Sequence, residues 1–155
     1  ALRLERFEWI ENFIYTYGDL LRPQFKEDAM QYNLAELFYH KKDYQQALFH
    51  LNNVHFTDIN YHLGSRIVLI KTFYESASDE ALFSLLASFS VYLRRNKHIS
   101  STLKKSCLNF CNLLHQILKV NQKKFEKLEE KVQTLQPLAE RPWLLKVLQE
   151  QKVWS

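Results

Sequence analysis

Cys107, Cys111 and His115 stand at i, i+4 and i+8, a spacing that lines them along one face of a helix. Pairs at i, i+4 can chelate a metal ion, but a closed structural site needs four ligands. The same segment offers no further cysteine and no acidic cluster. Leu108, Leu114, Ile117 and Leu118 make it largely apolar, and a free cysteine in such a helix packs as a small hydrophobe. The expectation is core packing, with no metal and no cofactor. His50, His55 and His62 offer a second set that a turn could bring together; these read as partly exposed packing residues. No Ser/His/Asp or paired-carboxylate arrangement has supporting spacing, so no catalytic residue is assigned and the chain is expected not to be an enzyme.

Charge supplies the next candidates. Residues 94 to 131 carry ten Lys or Arg against three Glu, a net +7, whereas the rest of the chain sums to −3. Arg94, Arg95, Lys97, Lys104 and Lys105 begin this basic stretch. Such an end can attract an acidic peptide or a phosphate backbone. No RNA- or DNA-binding motif accompanies it, and the simplest reading is a solvated face. Tyr39, Tyr44, Phe49 and Phe83 are possible peptide anchors, with packing between helices the favoured reading because a core uses its large residues first. Gln31, Asn33, Glu36, Arg66 and Lys71 are the better candidates for partner contacts. Asn33 and Lys71, each near the middle of a helix, are expected to line one groove.

These residues must be positioned by helices. The chain has 155 residues, 46% hydrophobic and 25% charged, a globular balance with enough length for a core. Two glycines and three prolines are too few for tight hairpins or glycine-rich phosphate loops. Two cysteines make no disulfide framework, which favours a reducing compartment and a cytoplasmic location. No run of 18 apolar residues suits a membrane span. The chain begins at Ala1 within amphipathic sequence and is read as a piece of a longer protein.

Apolar periodicity predicts about eight helices and no strand. A first helix spans about Leu4 to Tyr17 and ends at Gly18. The next opens at Pro23 and runs to about His40. After the turn Lys41-Lys42-Asp43, a helix extends from Tyr44 to about His55. Thr57-Asp58 is the next break. Helices follow from about Asn60 to Glu75 and from Asp79 to Arg94, with Ser78 as N-cap. Ser100 or Ser101 caps a long helix to about Lys119. Phe125, Leu128, Val132 and Leu135 form one stripe on a further helix that Pro137 stops, and Pro142 sits in the first turn of a last one.

The segment Phe38–Leu51 is echoed by Phe73–Leu85. Phe38 to Phe73 is 35 positions and Ala47 to Ala81 is 34, so the copy reads as one residue shorter. A period near 34 marks tetratricopeptide-type helix pairs. Ala35, Phe38 and Ala47, with Leu34 and Leu51, match that family's pattern in the first unit. Phe73, Ala81 and Leu85 match it in the second, where Ile70 replaces the usual small residue. Neither unit has the closing proline; Ile59 and Leu93 stand there. Roughly residues 10 to 150 resemble the C-terminal region of large uncharacterised bacterial tetratricopeptide-repeat proteins, most distinctively at Leu93-Arg94-Arg95-Asn96-Lys97.

This resemblance implies an all-α, right-handed α-α superhelix with a C-terminal helical cap, and a chain-terminal fragment. It transfers no activity. On this reading 1–155 is a single helical-repeat domain fragment. Residues 1–22 supply helix B of a truncated repeat, 24–57 and 59–95 are two repeats, and 99–155 are divergent helices and a cap. The expected function is a non-catalytic scaffold for a protein or peptide partner. The alternatives are a basic module that binds nucleic acid through residues 94–131 and a purely structural end-cap.

Overall fold

Pro23 has no N–H to leave unsatisfied and opens α1 (Pro23–His40). Lys42 stops it by taking a left-handed backbone, φ 63°. Its N–H then bonds the Tyr39 carbonyl at 3.0 Å and the Asp43 N–H bonds that of Phe38 at 2.9 Å, the Schellman pair that satisfies a helix's last carbonyls. Asp43 caps α2 (Tyr44–Asn52) by accepting the Gln46 N–H at 3.2 Å. The same turn recurs after α3 (Ile59–Glu75). Ala77 is left-handed, φ 57°, its N–H bonds Tyr74, and the Ser78 N–H bonds Phe73 at 2.9 Å before α4 (Asp79–Arg95) begins.

Every bond of the second turn lies 35 residues after its counterpart, through the first bonds of the following helices, Ala47 N–H to Asp43 and Leu82 N–H to Ser78. This corrects the 34-residue match at Ala81. The cap fixes the helix register, so Leu82 occupies the place of Ala47, and both are fully buried. Ala81 is only half-buried. Ile70 likewise stands for Ala35, again both at 0% exposure.

The computed structural model describes residues 10, 23–55, 59–120 and 124–154. The expected helix from Leu4 to Tyr17, Gly18 and the Thr57-Asp58 break lie outside the described residues, apart from Ile10, which is helical. The described residues form seven helices and no strand. The chain divides into two compact units, Ala1–Leu82 and Phe83–Ser155, with the boundary inside α4.

In the first unit α1 pairs with α2, and α3 packs on both. Ala35, Tyr39, Ala47, Leu51 and Val68 make the central cluster, flanked by Tyr32, Phe38, Tyr44 and Leu69. Gly64 admits Tyr32 onto α3: a Cβ there would lie 2.8 Å from the Tyr32 hydroxyl. α2 ends at Asn52, earlier than the periodicity suggests, because Asn53 turns the chain. Its amide bonds the Phe49 carbonyl at 2.9 Å, and buried Asp28 then accepts the His55 N–H at 2.6 Å.

In the second unit Ser100 caps α5 (Ser101–Lys119) by accepting the Leu103 N–H at 3.3 Å. α6 (Phe125–Thr134) buries Phe125, Leu128 and Val132, three of the four residues of the predicted stripe; the fourth, Leu135, stands just past the helix end and is half-buried. Arg141 closes α6 by donating to the carbonyls of Val132 and Leu135. Asn109 donates to the Pro137 carbonyl at 2.8 Å, tying the following segment to α5. α7 (Arg141–Trp154) packs on α5 and α6, with Trp143 buried 6.0 Å from Phe110, ring centroid to centroid.

Candidate partner-binding site

The residues proposed for partner contacts divide once α1 and α3 are packed. Lys71 is buried at 8% exposure, with its ammonium 5.3 Å from the Tyr39 ring centre. Four residues on, Glu75 accepts hydroxyl bonds from Tyr39 and Tyr44, the latter at 3.1 Å. A carboxylate, a cation and two phenols thus join α1, α2 and α3, and a charge at this depth persists because it has such partners. The expectation that Lys71 meets a partner in one groove with Asn33 is therefore corrected: Asn33 is exposed and Lys71 is interior. Tyr39 and Tyr44 belong to the same internal cluster.

Gln31 also works internally. Its amide donates to Glu27 at 3.1 Å and its oxygen accepts from His50 Nδ1 at 2.7 Å. His50 stacks on Phe38 with ring centroids 5.3 Å apart, while Lys41 lies over that same Phe38 ring. Glu36 accepts the Tyr32 hydroxyl at 3.1 Å and is half-buried. Phe49, on α2, is 59% exposed, the most open of the candidate aromatics.

Arg66 has a different setting. It lines a cleft of about 250 Å³ where the end of α2 meets α3. Leu51, Val54 and Leu69 give the cleft an apolar lining; Asn52, His55 and Ser65 join Arg66 as its polar groups. Ser65 is 5% exposed, and its hydroxyl is buried without a hydrogen-bond partner. One turn before Arg66, burial holds the His62 imidazole below its ordinary pKa, and the Arg66 charge pushes the same way. Sequence reasoning found Arg66 but missed Ser65: nothing in a helical serine's neighbours tells whether its hydroxyl will meet water.

In the second unit Cys107 and Cys111 are free and buried. Burial pushes their thiols up to about 11 and about 12 respectively, which suppresses the reactive thiolate. His115 is exposed and packs edge-on against Phe83 at 5.8 Å, with Lys119 over that ring. The cysteines and the histidine therefore point to different environments, and His50, His55 and His62 do likewise. Among the described residues no group of three His, Cys, Asp or Glu is placed to hold a metal ion.

Arg94, Arg95, Lys97 and Lys105 are exposed and Lys104 is half-buried. Arg94 and Arg95 close α4, where cations suit the helix dipole. Lys105 lines an open depression of about 420 Å³ with Ser101, Thr102, Gln136 and Pro137. Arg95 borders another with Ser88, Val91, Tyr92 and Asn96. Lys123 lies outside the described residues. Among the described residues no helix is long and apolar enough to cross a membrane. No family model, curated protein or solved structure matches the chain.

Proposed function

We propose that this chain is a non-catalytic helical-repeat platform for a protein or peptide partner, arranged as a tetratricopeptide-like right-handed superhelix with a helical cap. The observation that carries the reading is the duplicated helix–turn–helix. Two turns with the same hydrogen bonds 35 residues apart, and α3 packed on both members of the preceding pair, are what a stacked array requires. Such a scaffold docks a partner on a preformed surface and loses little conformational entropy in doing so. Arg66 and Asn33 are the contact residues in this reading.

The test is capture on the immobilised chain, at low and high salt and after nuclease treatment. Retention of one discrete protein at high salt, lost in an Arg66→Glu variant, supports the platform. A second reading rests on the exposed Arg94, Arg95, Lys97 and Lys105: a basic module that binds nucleic acid. Its mark is recovery of nucleic acid that falls steeply with salt, since phosphate contacts release counterions.

A further inference from the structure

We propose that the tip where α4 turns into α5 rests on an anionic bilayer surface, a role beyond the platform and independent of Arg66. Between Glu80 and Glu126 the chain has no Asp or Glu and eight Lys or Arg. Five of these, Arg94, Arg95, Lys97, Lys104 and Lys105, fall within twelve residues at this tip. Four are exposed and Lys104 is half-buried; none forms an ion pair among the described residues. Lys104 and Lys105 stand in the opening turns of α5, the end of a helix that disfavours cations. Like charges gathered against a helix dipole repel one another in the free chain and gain from a dense counter-charge.

The tip is preformed. Ile99 is buried, the Asn96 N–H bonds the Tyr92 carbonyl at 3.0 Å, and the Asn96 side chain donates to the Tyr92 hydroxyl at 2.9 Å. Its oxygen accepts the His98 N–H at 2.8 Å. Beside this loop Val91 is 42% exposed and lines an open depression with Arg95. An aliphatic group among cations suits a bilayer interface, where it reaches the acyl boundary while the charged heads stay among phosphates.

The arrangement favours a bilayer over nucleic acid. The next cation along α5 is Lys119, about 21 Å further at a helical rise of ~1.5 Å per residue, so the cluster is compact and lays no track for a phosphate backbone. The one Phe, Tyr or Trp at the tip, Tyr92, is half-buried and stacked on Phe89 with ring centroids 6.5 Å apart, which leaves successive bases no platform.

The test is co-sedimentation of the full 155-residue chain with vesicles of phosphatidylcholine alone or with about 30% phosphatidylserine, near physiological salt and at about 0.5 M. The expected result is binding to the anionic vesicles alone, lost at high salt. Each Lys or Arg near such a surface contributes about 5-fold, so the triple variant Arg94→Ala, Arg95→Ala, Lys97→Ala weakens binding about 100-fold. The triple variant Lys127→Ala, Lys131→Ala, Lys146→Ala removes the same charge from exposed places elsewhere and weakens it under about 3-fold.

Equal weakening by the two triple variants, equal binding to neutral vesicles, or no binding to either kind overturns the proposal. The same titration is run with a single-stranded oligonucleotide, a duplex and a glutamate-rich peptide, at matched concentrations of negative charge. Tighter binding to any of these than to the anionic vesicles, lost in the Arg94, Arg95 and Lys97 variant, assigns the tip to that partner and overturns the bilayer.

Discussion

The turn joining α1 to α2 and the turn joining α3 to α4 are the same device built around different interiors. Each ends a helix with a left-handed residue, Lys42 or Ala77, and each closes with the same pair of backbone bonds. Behind the first turn two alanines are fully buried, Ala35 and Ala47; behind the second the equivalent places hold Ile70 and Leu82, equally buried. The difference teaches that backbone geometry at the turn, and not side-chain volume, is what the repeat preserves. A pair of alanines lets helix backbones approach, whereas Ile and Leu fill their own space.

The sharpest way to break this comparison is at Leu82. Leu82→Ala empties a fully buried place and should cost about 2–5 kcal/mol in denaturant unfolding. Ala81→Leu, at a half-buried site, should cost under about 1 kcal/mol. The reverse order would restore the 34-residue register and overturn the structural match. Next in size, Ala47→Leu forces a large side chain between α1 and α2 and should cost about 1–3 kcal/mol by the same measurement.

The turns themselves should respond alike. Lys42→Gly and Ala77→Gly each remove the left-handed penalty on a side chain and should stabilise by about 0.5–1 kcal/mol. Their N-caps should differ. Asp43→Ala loses the bond to the Gln46 N–H and should cost about 1 kcal/mol. The Ser78 hydroxyl lies 3.1 Å from Ser76 Oγ, so Ser78→Ala should cost less.

The smallest effect is one of pH, at His62. Its folded pKa is held below 6.5 by burial and then by Arg66. The unfolded chain therefore takes up the proton first as pH falls. The His62 contribution is intact above about 6.5 and is lost below it, through the folded value. Unfolding curves on the acid side of neutrality should show this loss, and His62→Gln should flatten it.

Much of the fold was legible because its signals are local. Pro23 and Ser100 open helices, and Phe125, Leu128 and Val132 repeat at helical spacing on a buried stripe. The register of α4 was not legible, because Ala81 and Leu82 both suit a helix and only the backbone turn through Ala77 and Ser78 decides between them. The candidate site was half legible. A charge such as Arg66 attracts notice in any sequence. The interior place of Lys71 depends on Tyr39, more than thirty residues away in the chain, and no helical period encodes that pairing. The unpaired Ser65 hydroxyl is likewise a property of packing alone.

The most direct test of the platform claim is the affinity of a captured partner for three chains, wild type, Arg66→Glu, and the triple variant Arg94→Ala, Arg95→Ala, Lys97→Ala, measured by calorimetry across a salt series. The account predicts that Arg66→Glu abolishes binding while the triple variant binds as wild type with little dependence on salt. Unchanged binding by Arg66→Glu, with loss in the triple variant and a steep salt slope, would contradict it and place recognition on the basic end.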